Sequence, residues 1–206
     1  RSFTAKVVSC TANENGYDIV LEQSAFFPEG GGQKGDNGRL GDAVVTDTQI
    51  VGDVIVHKTD KPIEVGSEVC GEIDWDVRFD RMQNHSAEHI VSGVACSLYG
   101  CSNVGFHLGD DCMMVDFDKK LSAEDIAKIE LASNKAVFDN IEIIAIYPTK
   151  EEIPTLQYRS KLDIEENLRL IQIGDVDCCA CCAPHVAKTG EIGLIKITSF
   201  APYKNG

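Results

Sequence analysis

The chain has 206 residues, of which 43% are hydrophobic and 25% are charged, proportions that are ordinary for a globular protein. This composition excludes a disordered chain, a collagen-like chain and a coiled-coil rod, and a chain of this length can bury a core without disulfide bonds. The formal net charge of −14 argues against a general nucleic-acid coat, because such proteins bind phosphates through clustered lysine and arginine. A contact with one end of a nucleic acid through a local basic patch stays compatible with this charge.

The sequence has no stretch approaching the roughly 20 apolar residues that span a bilayer, so we expect no membrane partner. The segment that begins at Arg1 does not have the basic and then apolar pattern of a secretion signal. The chain contains nine cysteines. We therefore expect a cytoplasmic, reducing compartment, in which these thiols are free or bound to metal.

The first part of the chain, residues 1–75, is predicted to form a small β-barrel-like domain. Segments rich in Val and Ile are separated here by Gly, Asp and Asn, and helical periodicity begins only after residue 75. Short strands at this spacing favour a barrel or a curled sheet. The predicted strands are Ala5–Cys10, Tyr17–Leu21, Ala43–Val51, Asp53–His57 and Val65–Ile73.

The second part, residues 76–206, is predicted to mix helices and strands. Ser122 and Asp125 have nearly the spacing of a capping box at the start of a helix. Strands and helices do not alternate regularly, which favours an antiparallel sheet packed against helices and an α+β fold class overall. The predicted helices are Phe79–Tyr99, Ser122–Asp139 and Lys150–Leu156, and the predicted strands lie within residues 103–117, Ile141–Tyr147, Leu168–Ile173 and Ile192–Thr198.

His85 and His89 stand four positions apart within the first predicted helix. Side chains at positions i and i+4 project from one face of a helix, close enough to bind one metal ion. Two partly exposed helix histidines without a metal give the same pattern. The apolar neighbours in the middle of the helix favour the metal interpretation.

Cys181 and His185 form a second pair at the spacing of metal ligands. Together with His85 and His89 they offer three imidazoles and one thiolate, a set sufficient for tetrahedral zinc. About 90 residues separate the two pairs, so only the fold can unite them. The alternative is a local zinc or redox site built from the overlapping CxxC pairs of residues 178–182.

A glycine triplet, Gly30, Gly31 and Gly32, precedes Gln33. Consecutive glycines let the backbone approach a ligand closely and offer amides to an oxyanion or a phosphate. The segment lacks the terminal Lys-Ser or Lys-Thr of a P-loop, so it does not predict nucleoside-triphosphate binding. A plain hairpin loop gives the same pattern.

Four motifs occur in the order FFPEGGGQ, DWDVRFDRMQNHSAEHI, NVGFHLGDDCMMVDF and CCAPHVAKTGEIGLIKI. Each motif alone is weak, but the ordered set closely resembles the AlaX family. These proteins are free-standing relatives of the editing domain of alanyl-tRNA synthetase and, more distantly, of the editing region of threonyl-tRNA synthetase. The resemblance covers residues 3–206, and the Gly-rich segment is similar to that of the longer AlaX forms.

The resemblance implies a zinc ion held by His85, His89, Cys181 and His185. It also implies hydrolysis of the ester bond in tRNA-Ala that has been mischarged with serine or glycine, so the expected partner is the acceptor end of that tRNA. The expected fold is the barrel-like domain followed by an editing domain of the threonyl- and alanyl-tRNA synthetase type.

Glu88 and His107 depart from the family pattern at positions that line its substrate pocket. The synthetase often has Thr at the first position and Gln at the second, and its usual Cys-Gly-Gly-Thr-His is Cys-Cys-Ala-Pro-His here. We expect Glu88 and His107 to act in catalysis or to bind the seryl hydroxyl. The alternatives for Glu88 are a solvated helix glutamate or a partner that supports His85 or His89, and the alternative for His107 is a histidine satisfied within its strand.

The predicted contact with tRNA is confined to the acceptor end. We expect the Gly30–Gln33 loop to close over the terminal adenosine beside the metal. Basic side chains near the motifs are expected to bind phosphates, and these are Arg78, Arg81, Arg159, Lys161, Arg169 and Lys188.

Two other hypotheses stay open. The chain could be a fragment of a full alanyl-tRNA synthetase, although it has no activation-domain sequence and its Cys-Cys-Ala-Pro-His variant is unlike the synthetase form. It could also be a zinc-stabilised tRNA-binding module without catalytic activity. The intact set of metal ligands argues against that loss of activity.

Overall fold

The computed structural model describes residues 1–109, 112–160 and 167–202. The chain forms two compact units, residues 1–81 and 82–206, and its fold class is α+β, as predicted. The predicted domain boundary between residues 75 and 76 stays a prediction. Within the described ranges, no helix is both long enough and apolar enough to cross a membrane.

The first unit contains a closed antiparallel barrel of six strands, which confirms the predicted barrel-like fold. Around the barrel the strands follow the order β1-β2-β5-β4-β3-β6. The sequence pattern missed only β3, which has three residues and is too short to show an alternation. The strands are β1 Ser2–Asn13, β2 Gly16–Leu21, β3 Gly38–Leu40, β4 Ala43–Val51, β5 Val54–Thr59 and β6 Glu68–Ile73.

One buried histidine, His57, lies in the core of the barrel beside the ring of Phe26. Its Nδ1 atom is 3.0 Å from the carbonyl oxygen of Ile19, and its Nε2 atom is 2.7 Å from the hydroxyl of Ser24. A carbonyl only accepts, so Nδ1 carries the hydrogen and Nε2 accepts the hydrogen bond from Ser24. Burial lowers the pKa of His57, although the bond to Ile19 opposes this effect.

The second unit combines a hairpin, a three-stranded sheet and two α-helices. The hairpin pairs β7 with β8, and the antiparallel sheet has the order β11-β10-β9. The first helix begins at Trp75, within the first unit, and its residues 85–95 are all buried. The elements are α1 Trp75–Tyr99, β7 Asn103–Leu108, β8 Met113–Phe117, α2 Ala123–Phe138, β9 Ile143–Ile146, β10 Leu170–Ile173 and β11 Asp177–Ala180, with short 3-10 helices at Ile153–Thr155 and Thr189–Ile192.

The second helix, α2, begins as the sequence predicts. The Ser122 side chain accepts a hydrogen bond from the backbone of Asp125, and the Asp125 side chain accepts one from the backbone of Ser122. This capping box satisfies backbone groups that the first turn of a helix leaves unpaired. Ile129, Ala136 and Val137 then bury the apolar face of α2 in the core of the second unit.

The predicted strand at Ile192–Thr198 is wrong, since this segment has no strand and its first residue ends a 3-10 helix. Side chains of α2 satisfy its backbone instead of a neighbouring strand. The Asn134 side chain bonds both the N–H and the carbonyl of Ile195, at 3.0 and 2.7 Å. Glu130 accepts from the N–H of Ile197 at 2.6 Å. An apolar segment fixed in this way has the same residue pattern as a buried strand.

We expect the barrel to lose stability as the pH falls below about 6.5, the ordinary pKa of histidine. Below that pH the unfolded chain binds a proton at His57 that the folded barrel does not bind, so the free energy of unfolding falls by up to about 1.4 kcal/mol per pH unit. The substitution His57→Gln should flatten this dependence. The measurement is thermal or urea unfolding between pH 7.5 and 5, followed by the fluorescence of Trp75, the single tryptophan of the chain.

A matched control is His107→Gln, which changes an exposed histidine of the second unit. This control should reproduce the pH dependence of the parent chain. An equal pH dependence for the parent and for His57→Gln would contradict the assignment of the effect to His57.

Candidate metal centre

The four side chains predicted as metal ligands come together in the second unit. His85 and His89 project from α1, and Cys181 and His185 lie in the loop after β11. Their donor atoms all lie within 4.8 Å of one another. The Cys181 Sγ atom is 3.6 Å from Nε2 of His85 and 3.5 Å from Nε2 of His185. We call these four residues the ligand cluster, and its donor set could hold a metal ion.

Arg169 fixes the loop that carries Cys181 and His185. The carbonyl oxygen of Arg169 accepts from the N–H of Cys181 at 3.1 Å. Its guanidinium donates to the carbonyl oxygens of Cys181 and Ala183, each at 2.8 Å. The Arg169 side chain, which was predicted to bind a tRNA phosphate, therefore braces the ligand loop.

Ser86 sets the orientation of the His185 ring. The Ser86 hydroxyl donates to the carbonyl oxygen of Met82 at 2.7 Å and accepts from the N–H of Val186 at 3.2 Å. Its oxygen is 3.0 Å from Nδ1 of His185. Because the single hydroxyl hydrogen is used on Met82, Nδ1 of His185 must be the donor. The other ring nitrogen, Nε2, is thus left unprotonated and lies beside Cys181.

Asp177 plays the same part for His89. The Nδ1 atom of His89 donates to the Asp177 carboxylate at 3.1 Å, and both side chains are buried. The carboxylate also accepts two hydrogen bonds from Arg159, at 2.7 and 2.9 Å. No spacing rule connects Asp177 or Ser86 to a metal motif, so local sequence patterns do not identify either residue.

The electrostatics of the ligand cluster favour a thiolate. Burial opposes the charge of Cys181, but its interactions with the imidazoles of His185, His85 and His89 outweigh it and lower the pKa of the thiol to about 3. Burial also disfavours the charge of His89, but Asp177 and Cys181 outweigh it and raise the pKa of His89 to about 9. Burial lowers the pKa of His185 to about 4. A metal binds a deprotonated thiol and neutral imidazoles, so binding at this cluster would release the proton that the raised pKa keeps on His89.

Glu88 is buried beside the ligand cluster. Its Oε1 atom accepts from the Ser92 hydroxyl and from the Asn103 amide, both at 2.5 Å. Its Oε2 atom is 3.9 Å from Nε2 of His89, the ring nitrogen that does not bond Asp177. One carboxylate oxygen is therefore fixed by two donors, while the other lies next to the donor atoms of the cluster.

His107 is not brought to the ligand cluster. The ring of Phe106, its neighbour on β7, lies against the ring of His85 with centroids 5.0 Å apart. Successive side chains of a strand point to opposite faces, and the side chain of His107 is exposed. The predicted role of His107 in the reaction stays a prediction, and this geometry does not add to it.

Arg78 and Arg81 belong to the first unit and bond groups within it. Arg78 pairs with the buried carboxylate of Asp36, with Nε at 2.9 and 2.8 Å from its two oxygens, and donates to the carbonyl oxygen of Ala25 at 3.0 Å. Arg81 donates to the carbonyl oxygen of Gly35 at 2.7 Å. Both guanidiniums thus brace the segment before β3, and their predicted contact with tRNA stays a prediction.

The glycine triplet forms a tight turn in the first unit. Gly30 and Gln33 exchange two backbone hydrogen bonds of 3.1 Å each. The intervening Gly31 and Gly32 have φ angles of 60° and 83°, which glycine adopts more readily than other residues in two-residue hairpin turns. The hairpin interpretation therefore accounts for Gly31 and Gly32. The predicted position of this loop beside the metal and the adenosine stays a prediction.

The cysteines next to Cys181 in the sequence, Cys178, Cys179 and Cys182, are free thiols. Cys179, with Asp177 and His89, forms a second group whose potential ligand atoms lie within 4.8 Å of one another. Burial raises the pKa of the Cys179 thiol to about 12. This second group shares His89 with the ligand cluster, so the two arrangements compete for one imidazole. Lys161 lies outside the described residues, and Lys188 is exposed three residues after His185.

Comparison with known proteins agrees with the motifs. Residues 168–205, which include the ligand loop, match the threonyl and alanyl tRNA synthetase second additional domain, and residues 2–77 match the class II (A) tRNA synthetases. The alanyl-tRNA editing protein Aarsd1 of Mus musculus is 31% identical over 96% of this chain and 52% of its own length. The alanyl-tRNA editing protein AlaX-L of Pyrococcus horikoshii is 31% identical over 97% of this chain and 52% of its own length.

Alanine–tRNA ligases match the same part of the sequence. The ligase of Halorubrum lacusprofundi is 33% identical over 99% of this chain, but the match covers 23% of the ligase. The chain therefore spans about half the length of these editing proteins and about a quarter of the ligase.

We expect one metal ion per chain, bound by the ligand cluster. Cys181→Ser removes the only sulfur donor of the cluster and should lower metal affinity by about tenfold or more. Cys178→Ala changes the neighbouring CxxC pair and should leave the bound metal at one equivalent. Metal analysis by mass spectrometry after gel filtration measures both. If Cys178→Ala is empty while Cys181→Ser stays loaded, the CxxC pair is the site and the assignment is wrong.

Proposed function

We propose that this chain hydrolyses the ester bond of mischarged tRNA-Ala. The proposal is supported by its similarity, over nearly its whole length, to the alanyl-tRNA editing proteins of the AlaX family. The proposed substrates are Ser-tRNA-Ala and Gly-tRNA-Ala, and the proposed setting is the cytoplasm. The observation that carries the proposal is the convergence of His85, His89, Cys181 and His185 on one point beside the anchored carboxylate of Glu88.

The proposed cofactor is zinc, and the donor set fits it. With Zn–N near 2.1 Å and Zn–S near 2.3 Å, a tetrahedral ion separates its nitrogen and sulfur ligands by about 3.6 Å. The Nε2 atoms of His85 and His185 lie 3.6 and 3.5 Å from the Cys181 sulfur. Imidazole nitrogen and cysteine thiolate are both ligands that zinc binds in tetrahedral sites.

The hydrolysis of an ester needs an activated water, stabilisation of charge on the carbonyl oxygen and a proton for the leaving ribose hydroxyl. When bound, zinc supplies a positive charge that can polarise neighbouring groups. Glu88 offers its Oε2 atom near the ligand nitrogens, where it can accept a proton from water or a hydrogen bond from the seryl hydroxyl. Ser92 and Asn103 hold this carboxylate through its other oxygen, so the acceptor is already oriented.

Selectivity for the serine ester follows from an acceptor for its hydroxyl. Alanine is smaller than serine, so exclusion by size cannot protect the correctly charged tRNA. A site built to bond a hydroxyl penalises a substrate that lacks one, because the buried polar group of the site is then left unpaired. Glu88, whose side chain is buried, is the acceptor that we propose for the seryl hydroxyl.

The proposed tRNA contact is small and confined to the acceptor end. Arg159 and Arg169 donate to groups of the protein itself, whereas Lys188 is exposed close to the ligand loop. Lys188 is therefore the basic residue that we propose for a phosphate of the acceptor end. A chain with a net charge of −14 needs such a local cation to offset long-range repulsion of RNA.

The similarity to alanine–tRNA ligases supports a second candidate, in which the chain is the corresponding part of such a ligase. The same residues then perform the same hydrolysis within a larger protein. A non-catalytic module that binds tRNA differs from both, because it leaves the ester intact.

The proposed activity predicts that the purified chain deacylates Ser-tRNA-Ala, and Gly-tRNA-Ala more slowly, while sparing Ala-tRNA-Ala. Removing the metal with a chelator should lower the rate by about tenfold or more, and added zinc should restore it. Release of the labelled amino acid measures each rate. A metal-loaded chain that binds tRNA-Ala but releases serine no faster than buffer would establish the non-catalytic module instead.

Glu88→Gln should lower the rate on Ser-tRNA-Ala by roughly 10–100-fold, the range expected for a lost hydrogen-bond or proton acceptor. The amide oxygen of Gln can still accept from Ser92 and Asn103, so the fold, the bound metal and the affinity for tRNA should stay near the parent values. His107→Ala, on the exposed face of β7, is the matched comparison and should cause a smaller loss. Parent rates and parent preference over Ala-tRNA-Ala in Glu88→Gln would show that Glu88 only supports the structure.

A further inference from the structure

We propose that Arg159 and Asp177 are positioning residues of the metal centre, which hold the His89 ring with its Nε2 atom toward the ligand cluster and keep Asp177 itself from becoming a metal ligand. This inference rests on the metal site of the proposed function.

Hydrogen bonds from Arg159 and His89 surround the Asp177 carboxylate. Its Oδ1 atom accepts from Nε of Arg159 at 2.7 Å, and its Oδ2 atom accepts from the terminal nitrogen of Arg159 at 2.9 Å. The same Oδ2 atom accepts from Nδ1 of His89 at 3.1 Å. Only 1% of the Asp177 side chain is exposed, so these three donors replace the water that a buried carboxylate loses.

Backbone hydrogen bonds hold Arg159 beside β11. Its N–H donates to the carbonyl oxygen of Cys178 at 2.8 Å, and its carbonyl oxygen accepts from the N–H of Ala180 at 2.9 Å. The two backbone bonds place Arg159 beside Cys179 in a parallel bridge. Backbone pairing with β11 therefore places the Arg159 guanidinium next to Asp177. The guanidinium bonds both carboxylate oxygens and holds them in its own plane.

Two groups of potential ligands share the His89 ring. His89, Asp177 and Cys179 lie close enough to hold a cation by themselves, and they would draw on the Nδ1 edge of the His89 ring. A guanidinium bonded to both oxygens of Asp177 repels a cation at that place and occupies the lone pairs that the cation needs. Asp177 is thereby kept as a hydrogen-bond acceptor, and Nε2 of His89 is the nitrogen left for the ligand cluster.

The close approach of Asp177 to α1 depends on Gly93, one turn after His89. A Cβ atom at Gly93 would lie 2.3 Å from the carbonyl oxygen of Val176 and 2.8 Å from Cβ of Asp177. Both distances are shorter than non-bonded atoms tolerate. The glycine thus lets the start of β11 reach the helix at the height of the His89 ring.

The test measures metal binding in the full chain with zinc and with cobalt, whose visible spectrum reports ligand geometry. Asp177→Ala and Arg159→Met should each weaken zinc binding by about 10–100-fold, as is typical when the hydrogen-bond partner of a ligand histidine is lost, and should change the cobalt spectrum. Asp177→Asn, whose amide oxygen can still accept from His89, should restore part of the affinity lost in Asp177→Ala. Asp139→Ala removes a surface carboxylate paired with Lys135 and is the control that should match the parent.

A double variant tests the exclusion of the second arrangement. With Arg159 in place, Cys181→Ser should hold cobalt weakly. In Arg159→Met/Cys181→Ser the guanidinium no longer bonds Asp177, so His89, Asp177 and Cys179 become available as ligands. Cobalt should then bind again, with an absorption band from the Cys179 thiolate. Absence of this band in the double variant would overturn the claim that Arg159 excludes the second arrangement.

Parent affinity and a parent cobalt spectrum in Asp177→Ala and Arg159→Met, with a lower melting temperature alone, would overturn the positioning role. If Asp177→Ala does not fold, the comparison of Asp177→Asn with Arg159→Met decides by the same criteria. A parent chain that binds neither zinc nor cobalt is a different result, since it overturns the proposed metal site and this inference with it.

Discussion

The hydrogen bonds to Nδ1 of His89 and His185 decide where the donor atoms of the ligand cluster point. An imidazole on a helix can rotate about two side-chain bonds, and either ring nitrogen can bind a metal. Asp177 and Ser86 remove that freedom by accepting the Nδ1 hydrogens. The two rings lose their rotational freedom when the chain folds and not when an ion binds. The donor atoms therefore lie around one point in the folded chain itself.

The arginines of this acidic chain serve its own structure. Arg159 holds a carboxylate, Arg169 holds two carbonyl oxygens of the ligand loop, and Arg78 holds Asp36 within the first unit. A guanidinium offers five hydrogens in a rigid plane, and few other side chains can bind several acceptors of a loop at once. Counting basic residues in the sequence therefore overestimates the positive charge that is available to an RNA partner.

Much of the fold and part of the site could be predicted from local patterns in the sequence. Alternating Val and Ile gave the barrel strands, and the spacing of His85, His89, Cys181 and His185 gave a set that the fold does bring together. Asp177 and Ser86 could not be found in this way, because their partners are set by strand register and by contacts across the fold. The predicted strand at Ile192–Thr198 was wrong for a related reason. No local sequence pattern distinguishes a strand from a segment whose backbone is hydrogen-bonded to side chains of α2.

The burial of Glu88 also lay beyond local patterns. Its place between two ligand histidines is compatible with a side chain in water, on a neighbouring helix face or beside the ligands. The structure buries it because residues 85–95 of α1 are enclosed on every side, and the amide of Asn103 on β7 then supplies a donor. Because Glu88 is buried and bonded to Ser92 and Asn103, its carboxylate has a fixed orientation that a solvent-exposed glutamate would lack.

The geometry of the candidate metal centre depends on the absence of a side chain at Gly93. The residue has no side chain to contact a ligand, yet the space it leaves is filled by the backbone at Val176 and by Asp177. A single methyl group at this position would push Asp177 and the backbone at Val176 away from α1. The effect would appear one helical turn away, at the His89 ring that Asp177 holds. The arrangement of the ligand cluster can therefore be lost with all four of its side chains unchanged, through a larger side chain at a position that contacts none of them.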